Sequence, residues 1–233
     1  MTSPIITVFF IVLGLTLILS LLVRFWAIKI GVVDYQNKDR KRHPNDVPLL
    51  GGIAIFIAFF VGLWLIRDLL VAGDLDHQHW IGFFIGSCFL IMGGFLDDKY
   101  DLPPSTQIIF PILAIVSILY GGVEIERISS PLGGYFQLDS LVVNLMPGVS
   151  ISLLSSILIA FWLLGMMFTT KLLDGVDGLV TGVVGVGALI TTIFTLTSIY
   201  YQPDIAYASM MLLATCLGFL ILNWHPPNIF LGE

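Results

Sequence analysis

Residues 5–23 read IITVFFIVLGLTLILSLLV, with Arg24 directly after them and Lys29 just beyond. An α-helix needs about 20 mostly apolar residues to cross the hydrocarbon core of a bilayer. This run is long enough, and no charge interrupts it. Met1–Pro4 carries no basic residue, and no small-residue cleavage site follows the run. The stretch therefore reads as an uncleaved first span with its N-terminus outside, not as a signal peptide.

The pattern repeats along the chain. Ile5–Val23, Leu49–Ile66, Trp80–Leu96, Ile108–Val123, Ile151–Phe168, Leu179–Ile199 and Ile205–Leu222 give seven apolar stretches. They predict an all-α polytopic membrane protein with seven transmembrane helices, forming a single membrane-embedded domain over residues 1–233. Gly182, Gly185 and Gly187 recur within one stretch, which predicts close helix approach there. Lys and Arg in short loops set the orientation. Lys29, Lys38, Arg40, Lys41 and Arg42 place the first loop in the cytoplasm, and Lys99 and Lys171 fall on the same side by alternation. Of the ten basic residues, only Arg67 and Arg127 fall outside. The outer segment Gly121–Ser150 alternates polar and apolar residues around Pro131, Gly133 and Gly134, and predicts a small periplasmic hairpin.

Composition narrows the function classes. Charged residues make up 11% of the chain, less than half the roughly 25% of soluble domains. The mean hydropathy is +0.98. No basic patch with interleaved aromatics appears, so nucleic acid is excluded as a partner. Cys88 and Cys216 both lie in apolar runs and read as buried small hydrophobes. His77 and His79 lack a third ligand and read as solvated.

With orientation set, the acidic residues collect on the cytoplasmic side. Gly94-Phe95-Leu96-Asp97-Asp98-Lys99-Tyr100-Asp101 ends the third span. Asp97 and Asp101 share a helix face, and Asp98 points about 100° away. Hard carboxylate oxygens there suit Mg²⁺ bridging to phosphate. Diphosphate-handling enzymes of unrelated folds share such an Asp-Asp-x-x-Asp pattern, so alone it is ambiguous. Lys171-Leu172-Leu173-Asp174-Gly175-Val176-Asp177-Gly178-Leu179 is the second cluster. Each aspartate precedes a glycine, so the backbone can turn and offer N–H groups to an anion at the next helix N-terminus. His43-Pro44-Asn45-Asp46-Val47-Pro48-Leu49-Leu50-Gly51-Gly52 is the third, where Pro48 and Gly51-Gly52 would let backbone approach a ligand. Asn228-Ile229-Phe230-Leu231-Gly232-Glu233 is the fourth.

From about Gly31 to Glu233, these four segments in this order resemble the polyprenyl-phosphate N-acetylhexosamine-1-phosphate transferases of glycosyltransferase family 4. The wording Arg-Lys-Arg-His…Val-Pro-Leu-Leu-Gly-Gly is closer to the WecA branch than to MraY. The resemblance implies an enzyme of the bacterial inner membrane with its active site facing the cytoplasm. It would transfer sugar 1-phosphate, from UDP-N-acetylglucosamine or a related hexosamine, to undecaprenyl phosphate and release UMP. That would be the first lipid-linked step of a cell-envelope polysaccharide. It implies Mg²⁺, with Mn²⁺ as the alternative, and leaves homodimerisation open. It also implies further spans beyond Glu233, as part of the family fold is missing here.

By the resemblance, Asp97, Asp98, Asp174 and Asp177 are the catalytic candidates. Lys41, His43 and Lys171 are the substrate-binding candidates, and Asp98, Asp177 and Glu233 the metal ligands. Two positions depart from the family, which has Asn at the place of Lys171 and Asp at the place of Glu233. A lysine ammonium cannot ligate a cation, so Lys171 is expected on the substrate diphosphate or on Glu233. The rival readings are an intramembrane prenyltransferase with Asp-rich Mg²⁺ motifs and a catalytically inactive lipid-binding relative.

Overall fold

The computed structural model describes residues 2–34, 47–70, 76–130, 133–138, 142–146, 149–199 and 201–232. In chain order the elements are α1 (Thr2–Ile30), β1 (Val33–Asp34), β2 (Val47–Pro48), α2 (Gly51–Leu65), α3 (Arg67–Leu70) and α4 (His77–Tyr100). There follow α5 (Pro104–Gln107), α6 (Ile109–Tyr120), β3 (Arg127–Ser129), β4 (Tyr135–Gln137), β5 (Val142–Met146) and β6 (Val149–Ser152). The chain then continues in α7 (Leu153–Leu173), α8 (Leu179–Thr197) and α9 (Pro203–Asn223).

Among the described residues five helices, α1, α4, α7, α8 and α9, are long and apolar enough to cross a membrane, and the two remaining stretches form shorter apolar helices, Gly51–Leu65 and Pro104–Tyr120. α2 has 15 residues, about 22 Å of helix against a core of about 30 Å, and α6 has 12. The shortness of α2 has a local reason. Val47 and Pro48 are drawn into a strand pairing with Asp34 and Val33, and Leu50 takes a left-handed φ of 76°, so the helix begins only at Gly51.

The expected hairpin is present. β3 and β4 pair antiparallel with Ile128 opposite Phe136, and Gly133 and Gly134, at φ 95° and 84°, supply the positive-φ turn. β5 and β6 form a second hairpin, so the all-α expectation gives way to a mostly helical fold with three small strand pairs.

Two compact units make up the chain. The first contains Met1–Asp76, Gly93–Leu102 and Leu172–Glu233. Its core is built where backbones come close. A methyl at Gly218 of α9 would meet the Leu13 carbonyl of α1 at 2.5 Å, and one at Gly62 of α2 would meet Val12 at 2.9 Å and Met211 at 3.4 Å. Buried hydroxyls there are satisfied within their own helix, since Thr16 donates to the Val12 carbonyl and Ser20 to that of Thr16. Such back-bonding lets a hydroxyl sit in an apolar bundle without an interhelical partner. Gly185 lies 3.4 Å, by its would-be Cβ, from Cys216 of α9, whereas Gly182 and Gly187 face open space. Close approach is thus real at Gly185 and absent at its two neighbours. Cys216 is a buried free thiol, as its apolar setting predicted.

The second unit comprises His77–Met92 and Pro103–Lys171. Here α4 and α6 meet through small residues, with Gly82 against the Ser117 carbonyl and Gly121, and Gly86 against Ala114. His77 is exposed, and a ring nitrogen of His79 lies 3.1 Å from the Gly122 carbonyl oxygen. Among the described residues no three histidine, cysteine or acidic side chains converge on a common point.

Candidate active site at one end of the first unit

Within the first unit, the C-terminal ends of α1, α4 and α9 and the N-terminal ends of α2 and α8 are joined by a series of specific contacts. Ala27, Val32 and Leu50 form a buried cluster against which Val23, Leu49, Ile53 and Phe95 pack. This cluster anchors the last turns of α4, which carry the Asp97-Asp98 pair.

The two aspartates are used differently. Asp97 is 9% exposed, and its Oδ1 accepts the Leu102 backbone N–H at 3.0 Å. The Asp97 carbonyl accepts the Asp101 N–H at 2.9 Å, and Asp101 turns the chain with φ 52°. Asp97 therefore closes the helix by satisfying backbone donors beyond its end. Asp98 is half-buried. Its carboxylate lies so close to the Cα of Gly232 that a side-chain carbon there would overlap Oδ2.

Gly232 is held in place by a backbone ladder. Phe230 donates to the Pro48 carbonyl at 2.9 Å, Gly51 to that of Phe230 at 3.0 Å and Gly52 to that of Leu231 at 2.7 Å. The close approach expected at Gly51-Gly52 thus occurs, but its occupant is the chain itself. The ring of Phe219 and the Phe230 carbonyl fill the space a Gly51 side chain would need, and the first N–H groups of α2 are spent on the ladder.

The same segment reaches the second acidic cluster through Asn223. This residue is 4% exposed. Its amide nitrogen donates to the Ile229 carbonyl at 3.0 Å, and its Oδ1 accepts the Thr181 hydroxyl at 3.3 Å. Thr181 lies in the first turn of α8, which Gly178 caps in a left-handed conformation. Gly178 packs against Leu220 of α9. Of the two glycines in the double Asp-Gly, only Gly178 adopts positive φ, and Gly175 faces open space. Asp174 is exposed. Asp177 has a side chain only 13% exposed, and its Oδ2 lies 2.7 Å from Nδ1 of His225, which is 74% exposed. With Nδ1–H donating to the carboxylate, the imidazole is oriented and its Nε2 is left toward solvent.

Lys171 lies in the last turn of α7, in the second unit, where its ammonium donates to Gln107 Oε1 at 3.0 Å. Lys41, His43 and Glu233 lie outside the described residues. The reading from sequence missed His225 and Asn223. The available signal was a polar run, Asn223-Trp224-His225, directly after an apolar stretch and close to the Asn228–Glu233 motif.

Five membrane-length apolar helices, with Asp97-Asp98 at the end of α4 and Asp177 at the start of α8, define a polytopic membrane protein. The chain belongs to glycosyl transferase family 4, whose profile matches residues 80–233. It is 32% identical over 230 residues to a probable undecaprenyl-phosphate N-acetylglucosaminyl 1-phosphate transferase of Bacillus subtilis, covering 98% of this chain and 58% of the relative. It is 26% identical over 221 residues to a decaprenyl-phosphate N-acetylglucosaminephosphotransferase of Mycobacterium tuberculosis, covering 91% and 52%. A phospho-N-acetylmuramoyl-pentapeptide-transferase of Listeria monocytogenes is 26% identical over 232 residues, with 95% and 66% covered. The chain thus spans little more than half the length of the first two relatives.

Proposed function

We propose that this protein transfers N-acetylglucosamine 1-phosphate, or a related hexosamine 1-phosphate, from a UDP-sugar to undecaprenyl phosphate at the cytoplasmic face of a bacterial inner membrane, releasing UMP. The observation that supports this most is the seating of the Asp98 carboxylate on Gly232, which joins the Asp-Asp helix end to the Phe-Leu-Gly segment. The backbone ladder and Asn223 continue that connection to Thr181, in the first turn of the helix that follows Asp177.

In this reading Asp98 orients the attacking lipid phosphate or accepts its proton, while Asp97 holds the helix end that positions Asp98. Asp177 fixes His225, whose second ring nitrogen faces the diphosphate or nucleotide, and the exposed Asp174 contacts the nucleotide or the metal. Lys41 and His43 supply positive charge toward the anionic substrates, and Lys171 remains a candidate for substrate binding. A divalent ion fits the donor set. Mg²⁺ takes hard oxygen ligands, usually one or two carboxylates plus substrate phosphates and water, so a cage of three protein side chains is not required. Asp98 and Asp177, with Glu233, would hold it, and when bound it neutralises the diphosphate and makes UMP a better leaving group.

The test is incubation of the full-length protein with undecaprenyl phosphate, Mg²⁺ and labelled UDP-N-acetylglucosamine, followed by extraction of labelled lipid. UDP-N-acetylgalactosamine and other UDP-hexosamines are run in parallel. Absence of labelled lipid with every donor would overturn the transferase reading and leave the inactive lipid-binding relative.

A further inference from the structure

Among the described residues, only two buried side-chain nitrogen or oxygen atoms lack a hydrogen-bond partner, Nε of Arg24 and Nε1 of Trp80. Arg24 is the charged one, and it lies in the first unit. The buried face of α1 is marked by Val12, Thr16, Ser20 and Ala27, each fully buried. Arg24 follows Ser20 by four residues and precedes Ala27 by three, so it belongs to the same face. A guanidinium carries five donors and no acceptor and stays charged. Burying one of those donors, Nε, without a partner is costly.

The neighbouring groups do not relieve it. The hydroxyls of Thr16 and Ser20 are turned back onto their own helix. A basic residue that serves only as an inside-positive signal keeps its head in water or headgroups, with its stem along the apolar surface. Arg24 departs from that, because its Nε is itself excluded from solvent. The adjacent Val23 packs in the cluster that includes Phe95, and Asp98 follows Phe95 by about one helical turn.

We propose that Arg24 binds a phosphate group at this end of the bundle, through the paired N–H geometry that guanidinium shares with phosphate oxygens. The ligand class is a phosphate monoester, carried by a prenyl lipid or free in solution. If lipid-borne, it deepens the transferase reading by assigning a residue of α1 to the acceptor phosphate.

The experiment uses the full-length protein in nanodiscs without UDP-sugar, titrated with farnesyl phosphate, farnesol and inorganic phosphate. Wild type is compared with Arg24→Met, which keeps the stem, and Arg24→Lys, which keeps the inside-positive charge. Loss of a charge-assisted bond should weaken farnesyl phosphate binding by roughly 10- to 100-fold in Arg24→Met, less in Arg24→Lys, and leave farnesol unchanged. Arg24 dependence with farnesyl phosphate alone assigns the lipid source, and equal dependence with inorganic phosphate assigns the soluble one. Wild-type affinity in both variants overturns the proposal. So does equal weakening of farnesyl phosphate and farnesol, which would mark a structural role. Sugar transfer by wild type is measured separately. Arg24-dependent binding without transfer removes the transferase reading but keeps the site, and transfer with Arg24-independent binding does the reverse.

Discussion

Replacing Gly232 by alanine isolates the contact on which the candidate site depends. Gly232 sits at φ 86°, a left-handed conformation that costs an L-residue roughly 1–2 kcal/mol. The new methyl would lie 3.1 Å from the Leu50 nitrogen and would overlap Asp98 Oδ2. Backbone at Leu50 is fixed by the cluster around it, whereas a carboxylate sits at the end of a short side chain with two rotatable bonds. It can retreat by about 1 Å to reach ordinary van der Waals separation. The fold should therefore survive with only the backbone cost, while the carboxylate is displaced. Misplacement of a reacting group by about 1 Å can lower turnover 10²-fold. The full-length Gly232→Ala protein should keep its unfolding temperature within several degrees and its detergent-extracted yield, yet transfer labelled sugar about 100-fold more slowly. Gly14→Ala is the control, since Gly14 lies within α1 and faces open space. Its turnover should match wild type. If Gly232→Ala transfers sugar within threefold of wild type, the seating of Asp98 on Gly232 has no part in the chemistry.

Other substitutions probe separate links. His225→Gln removes the imidazole held by Asp177; because the histidine is mostly exposed, stability should change by less than about 1 kcal/mol, while transfer falls about tenfold. Unchanged kinetics would exclude His225 from substrate contact. Asn223→Leu leaves the Ile229 carbonyl and the Thr181 hydroxyl without partners, at roughly 1–3 kcal/mol each; a melting curve in detergent identical to wild type would refute that bridging role. Gly82→Val would drive side-chain atoms into the Ser117 carbonyl at 2.7 Å and Gly121 at 2.9 Å, both backbone, so α4 and α6 must separate. Yield of folded protein should collapse, and normal yield would mean that the helices do not pack as described. Lys171→Ala loses an exposed bond to Gln107, worth less than about 1 kcal/mol, so any larger loss of Mg²⁺-dependent activity reports on the substrate diphosphate.

The helices were legible because apolar run length is a property of composition, and a local sum reads it directly. Their limits were less so. Nothing in Leu49 and Leu50 announces that one stays extended and the other turns left-handed, because that follows from Val47–Pro48 pairing with β1 across a sequence gap. Glycine spacing was similarly two-valued. Gly182 and Gly187 look like Gly82 and Gly86 in the sequence, yet only the latter pair meets a facing backbone. The acidic motifs could be found as residue types at characteristic intervals, while their partners could not. His225 reaches Asp177 over 48 residues, and the ladder from Phe230 to Pro48 consists of backbone groups that every non-proline residue carries.

The pair Asp97-Asp98 shows why adjacency of like residues need not mean a shared role. Successive residues of a helix point about 100° apart, so one surface cannot receive both carboxylates. The first turns toward the exit of α4, where the Leu102 N–H lies beyond the helical ladder and needs an acceptor. Asp97 supplies it. Asp98 is left on the side of Gly232, where a residue without a side chain makes room for it. A hydrogen bond to a charged acceptor is stronger than one between neutral groups, so this contact steadies the turn that follows Asp98. If the proposed function holds, substitution of either aspartate should lower transfer for different reasons, the first by loosening the helix end, read as a lower unfolding temperature, and the second with the unfolding temperature unchanged.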